Sequence, residues 1–181
     1  MVSKRLLSTP VILLAGGCAF VGPIYDRSFE NAPYSACADF TAAPPAAAVG
    51  QQPVGVGCFE VMARTLSHYG AAANADHAFT TDGIAVTGNA AFRYKGGQGC
   101  TGMFTNFVVD YSTPQGGGAT LTATDALGRH LAMSRIGDEA SPKPHRTVMR
   151  NMGDPLKDPA VLELSNVEGT IVVRSVCLKG Y

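Results

Sequence analysis

The residues able to do chemistry are few and far apart. His68, His77, His130 and His145 occur singly, without the HxH, HExxH or CxxC spacing that sets metal ligands side by side. A zinc or copper site would have to be assembled by the fold. Asp76-His77 is the one histidine beside an acid, and a solvated loop pair explains it without a ligand. Ser134 and Ser165 lack the GxSxG context of a hydrolase nucleophile. Gly96-Gly-Gln-Gly99 and Gly116-Gly-Gly118 match neither glycine-rich phosphate-binding pattern. Asp125, in Asp125-Ala-Leu-Gly128, could lend an oxygen to a structural calcium, but a side chain bonding its own turn needs no ion. No cofactor is expected. An enzyme would require Asp76, His77, His130 and His145 to converge in one pocket.

Cysteines carry the remaining chemistry. There are five, Cys18, Cys37, Cys58, Cys100 and Cys177, an odd number for an oxidising compartment. Lys4 and Arg5 precede an apolar run, Leu6 to Gly17, which ends in Leu14-Ala-Gly-Gly-Cys18. A basic n-region before an apolar h-region is an export leader. Its end resembles the lipobox of bacterial lipoproteins, small residues before a cysteine that is lipidated and becomes the new N-terminus. Lipidation of Cys18 leaves an even set of four cysteines. Two other readings stand beside it: Gly17-Cys-Ala19 as an ordinary signal-peptidase site, and residues 6–25 retained as a single membrane span. Four cysteines allow three pairings. Cys58 and Cys177 lie in candidate strands near the two ends of the domain, and sandwiches often join first and last strands; this favours Cys58–Cys177, leaving Cys37–Cys100. Cys100, between Gly99 and Thr101-Gly102, is then structural and not a reactive thiol.

Composition limits partner and fold. With 14 Lys and Arg against 14 Asp and Glu, no net charge draws in nucleic acid. At 15% charged residues, rich in Gly and without Trp, the chain suits short strands and tight turns. Its 181 residues divide into a leader or anchor (1–17), a Pro/Ala-rich tether from Cys18 to residue 53, and one β domain from 54 to 181. Cys37 could pin part of that tether to the body.

The domain must position its groups with short strands. Val56 to Leu66 alternates as a strand, with a helix as the other reading, and residues 67–77 form a helix or loop. Strands are expected at Gly83–Thr87 and Ala90–Tyr94, with Gly88-Asn89 between them. Met103 to Tyr111 and Ala119 to Thr124 are expected to form a hairpin around Pro114–Gly118. The Asp125–Gly128 turn then leads to Arg129–Ile136, with Leu131, Met133 and Arg135 on one parity. A strand fits Arg146–Met149. Val161–Leu164 and Thr170–Leu178 read as antiparallel neighbours joined at Asn166-Val-Glu-Gly169.

The order of these segments, Asp82-Gly-Ile84, Phe107-Val-Val-Asp-Tyr111, Leu121-Thr-Ala-Thr-Asp-Ala-Leu-Gly128 and Gly169-Thr-Ile-Val-Val-Arg-Ser-Val-Cys177, resembles the galactose-binding-like or "choice-of-anchor" jelly-roll domains of bacterial surface proteins. The resemblance implies an all-β, antiparallel, disulfide-stabilised sandwich that binds a glycan or serves as a structural module. Tryptophans for stacking on sugars are absent; Tyr69, Tyr94 and Tyr111 could replace them, although strand tyrosines more often pack in the sheet. The expected protein is a non-enzymatic envelope lipoprotein, held to a membrane through Cys18, that binds a partner protein or glycan or joins a larger membrane assembly. Ala19 in place of the retention Asp points to the outer membrane.

Overall fold

Burial alternates along several strands of the computed structural model, which describes residues 34–42, 53–63, 76–96, 99–100, 104–150 and 161–180. In Phe59–Met62 the first and third residues are buried; in Gly117–Thr124, Ala119, Leu121 and Ala123 point inward while Thr120 and Thr122 lie half-exposed. Such period-two patterning suits a sheet with one face on a core. Among the described residues twelve strands result: β1 (Tyr34–Asp39), β2 (Val54–Val56), β3 (Phe59–Met62), β4 (His77–Thr80), β5 (Gly83–Val86), β6 (Ala90–Tyr94), β7 (Phe104–Thr113), β8 (Gly117–Thr124), β9 (His130–Asp138), β10 (Ser141–Arg150), β11 (Val161–Gly169) and β12 (Ile171–Gly180).

Sheet A has the order β10-β7-β12-β5-β4, with β1 also paired to β12; sheet B has the order β2-β3-β6-β11-β8-β9. All pairings are antiparallel. The chain from β5 to β12 pairs as a folded ribbon: β5 with β12, β6 with β11, β7 with β10 and β8 with β9. Wrapping those four pairs around a barrel gives the strand order of a jelly roll. The expected fold class is thus observed, built from sheet order alone.

Two expected hairpins are corrected. β7 and β8 lie in different sheets, as do β11 and β12, so the Pro114–Gly118 and Asn166–Gly169 segments carry the chain across the sandwich. Gly117, at φ +129°, lies where a Cβ would fall 2.0 Å from the Glu168 carbonyl oxygen, so the two crossings press against each other and exclude a side chain there. The β8–β9 hairpin forms as expected, with a register shift at Ala123/Thr124; β9 turns Ile136 into the core and Met133, on the opposite parity, outward at 71% exposure. In the described part of the Val56–Leu66 region, residues 56–63, the end of β2, a turn at Gly57-Cys58 and β3 replace the single strand, and no helix forms there. The strand expected at Arg146–Met149 extends over all of β10, whose free edge is interrupted by Pro142 and Pro144. Prolines on an edge discourage pairing with another chain.

The core joins both sheets through aromatic rings. Phe40 lies 5.3 Å from Phe92, and Tyr94 touches both Phe59 (5.8 Å) and Phe104 (5.5 Å). Aliphatic Ile84, Leu121, Leu162, Ile171 and Leu178 complete it.

Cysteine pairing differs from expectation. Cys37 bonds Cys177, and Cys58 bonds Cys100. First and last strands are indeed joined, but the first strand is β1, with Cys37 directly opposite Cys177 in register. Part of the stretch assigned to a tether is therefore a strand of sheet A. Cys58 sits at the β2–β3 turn of the other sheet, where Cys100, beyond β6, reaches it. Cys18, residues 6–25, His68 and Tyr69 lie outside the described residues. Among the described residues no helix is long and apolar enough to cross a membrane.

Non-reducing peptide mapping is expected to recover Cys37–Cys177 and Cys58–Cys100 peptides. Chain-entropy loss grows with loop length, and the bonds span 140 and 42 residues. Removing the first pair as a double alanine variant should therefore cost about 1 kcal/mol more than removing the second, read from urea midpoints of the two variants.

Candidate functional site

The outer face of sheet B carries a row fixed by register. Gly55 lies opposite Glu60, Glu60 opposite Arg93, Arg93 opposite Val161 and Val161 opposite Thr124. Residues directly opposed share a face and touch. Here Arg93 donates through Nε to Glu60 Oε2 at 3.1 Å, and its Nη2 bonds the same oxygen. Val161 and Thr124, 4% and 3% exposed, form the floor beside this pair.

The β8–β9 turn raises a wall at the end of the row. Asp125 Oδ1 accepts from the backbone N–H groups of Leu127 (2.9 Å) and Arg129 (2.8 Å), and Oδ2 accepts from Arg129 Nε at 2.6 Å. Gly128 N–H closes the turn on the Asp125 carbonyl at 3.0 Å. This is the Asx-type turn expected of Asp125, with both carboxylate oxygens already engaged by protein donors. It holds Leu127 out at the lip, 79% exposed. Together with Tyr94, Lys95 and Ala126 these residues enclose an open depression of about 600 Å³, within the range of small-ligand sites.

The catalytic candidates do not converge there. Asp76 and His77 stand at the β4 edge of sheet A, His145 on β10 at the opposite edge, and His130 on β9 at the edge of sheet B. Neither ring nitrogen of His77 has a hydrogen-bond partner, and burial pushes its pKa below the ordinary value against the opposing pull of Asp76. His145 stacks on Tyr111, ring centroids 5.7 Å apart. Among the described residues no three His, Cys, Asp or Glu side chains could hold a metal ion. Tyr94 and Tyr111, offered as stacking surfaces, are instead buried in the core at 5% and 7% exposure. Burial raises the Tyr94 phenol pKa, and the Tyr111 hydroxyl accepts from Gly137 N–H at 3.3 Å.

A second polar cluster crosses the outer face of sheet A. Arg146 donates to both Asp110 oxygens, at 2.6 and 3.0 Å, and Ser175 donates to one of them at 2.9 Å. Both oxygens of this carboxylate are committed to neighbouring strands, so it ties β10, β7 and β12 together. Burial acts to raise the Asp110 pKa, but these hydrogen bonds and the nearby cations outweigh it and hold it below the ordinary value.

Comparison with known proteins gives structural neighbours only. No family model matches, and no curated protein matches. A family 43 arabinoxylan arabinofuranohydrolase from Bacillus subtilis in complex with cellotetraose shares 8% identity over 54% of this chain, with a TM-score of 0.38. The arabinose-bound α-L-arabinofuranosidase MgGH51 shares 12% over 79%, with a TM-score of 0.41. This chain spans only 21% and 26% of those two chains. The CBM36-1 domain of a multidomain xylanase from the hindgut metagenome of Trinervitermes trinervoides is similar over 81% of this chain and 98% of its own, at 11% identity and a TM-score of 0.40. Likeness this distant assigns neither ligand nor activity.

The sequence pointed to Asp125 but not to the depression beside it. Glu60 and Arg93 are 33 positions apart, and nothing short of the β3–β6 register predicts that they meet. Val161 and Thr124 read as ordinary strand residues.

Asp125→Ala should lower stability by about 1–2 kcal/mol through loss of the turn's hydrogen bonds. Burial acts to raise the Asp125 pKa, while bonds from Arg129 and Leu127 outweigh it and hold it below 3.8. Its contribution is therefore present above that pH and lost as pH falls through the depressed value. Urea titrations between pH 6 and 2 should show a shallower acid loss in Asp125→Asn than in the parent.

Proposed function

We propose that this chain is a non-enzymatic binding module of the cell envelope. It is exported by its leader, tethered to a membrane through lipid on Cys18, and presents the sheet B depression to a glycan. The carrying observation is the make-up of that depression. Three of its four charged lining residues, Glu60, Arg93 and Asp125, are locked in side-chain pairs, and the described lining residues include no histidine, cysteine or serine. Fixed donors and acceptors around a small apolar floor suit hydroxyl-rich rings, which both donate and accept hydrogen bonds. A concavity of this size fits a short saccharide better than the broad surface a stable protein partner needs. The two disulfides fit an oxidising, exported setting. Outer-membrane placement follows from Ala19 in a host with two membranes.

Two measurements test the reading. Intact mass and N-terminal peptide mapping of protein from its native membrane should find an acylated Cys18; an unmodified Cys18 behind a retained Met1 would overturn the tether. A glycan array should give saccharide binding that Arg93→Ala weakens at least tenfold, while costing the fold less than about 1 kcal/mol because the Glu60 pair is partly exposed. A silent array, or an Arg93→Ala protein that binds unchanged, would remove the glycan role from this face.

A further inference from the structure

The depression is lined by two acids, Glu60 and Asp125, and two cations, Arg93 and Lys95, but Asp125 is engaged by Arg129 from outside the lining. Arg93 is matched by Glu60 and Arg129 by Asp125, which leaves Lys95 at the rim. No ion pair engages Lys95 among the described residues. Its nearest potential counter-charge in the row, Glu60, is already held by Arg93.

The placement of this ammonium group follows from the strands. Lys95 follows β6 two residues after Arg93, so it leaves the sheet on the same outer face. Its backbone N–H is fixed to the Cys58 carbonyl at 2.9 Å, beside the Cys58–Cys100 bond. Its Nζ then lies over Gly55, only 2.9 Å from the point a Cβ there would occupy. Gly55 thus vacates the space that the cation fills. An anchored backbone, a cleared seat and an unpaired cation occur together at one end of a small floor ringed by fixed donors and acceptors.

We propose that Lys95 makes this site selective for acidic saccharides, with a sugar carboxylate meeting its ammonium group while ring hydroxyls meet Glu60, Arg93 and Thr124. This rests on the depression being a glycan site. A single partly exposed charge contact of this kind is worth at most about a fivefold preference, and salt weakens it.

The test uses the full-length protein and two probes, trigalacturonate and its methyl ester, whose carboxyl groups are charged in the first and capped and neutral in the second. Calorimetry at low salt should show the acid binding about three- to fivefold tighter than the ester, with most of the difference lost in 0.5 M NaCl. Lys95→Gln should bring acid and ester to equal affinity, whereas Gly55→Ala, which only crowds the flexible end of Lys95, should weaken the acid selectively. Equal affinities for acid and ester in the parent, or an unchanged preference in Lys95→Gln, would overturn the role of Lys95. If neither probe binds but neutral saccharides do on the array, acidic selectivity fails and the glycan site stands. If no saccharide of any kind binds, the underlying reading fails with it.

Discussion

Cys37 joins three parts of the sandwich at one residue. Its sulfur bonds Cys177 in the central strand of sheet A, and its carbonyl accepts the Cys58 N–H at 3.0 Å from the β2–β3 turn of sheet B. Cys58 in turn holds Cys100 through sulfur and Lys95 through its carbonyl. The contact requires Gly57 at φ +54°, since a Cβ there would stand 2.3 Å from the Cys37 oxygen. Three residues on, Phe40 bonds Arg174 through its backbone and sets its ring against Phe92 in the opposite sheet. Loss of β1 would therefore open the core at Phe92 as well as exposing an edge of β12. The candidate site depends on the same residues, because Lys95 is placed by Cys58.

How much of this could be read from sequence depends on which interactions are local. The alternation of Ala119, Leu121 and Ala123 with threonines, and the Asp125–Gly128 turn, are contained in ten consecutive residues, and both appear as expected. The jelly roll itself was legible only through a resemblance in the order of strands and turns. Strand-to-sheet assignment was not legible, because a glycine-rich turn such as Pro114–Gly118 looks the same whether it returns within a sheet or crosses to the other. The β1 strand was hidden for a different reason. Tyr34–Asp39 is short, lies next to Pro/Ala-rich sequence and gains its order from β12, 140 residues away at Cys177. Tertiary pairing overrode a local pattern that reads as linker.

The candidate site shows the same division. Its local device, the Asx turn at Asp125, is visible in isolation, but the row Gly55-Glu60-Arg93-Val161-Thr124 draws on five strands. Residues that look unremarkable one by one become a site because register places them side by side. The catalytic candidates illustrate the converse, since His77, His130 and His145 are chemically able but are dispersed to three sheet edges.

The way β1 meets β12 also sets how the domain would respond to a pull from its N-terminal side. The strands run antiparallel, with Tyr34 opposite Gly180, so tension on Tyr34 peels pairs one at a time from that end. Only Tyr34, Ser35 and Ala36 can separate before the force reaches Cys37 and passes covalently into Cys177. From there it enters β12, which is flanked by β7 on one side and β1 and β5 on the other. Mechanical strain is thus delivered to the middle of sheet A and, through the Cys37 carbonyl, to Cys58, whose own carbonyl holds Lys95 at the rim of the depression.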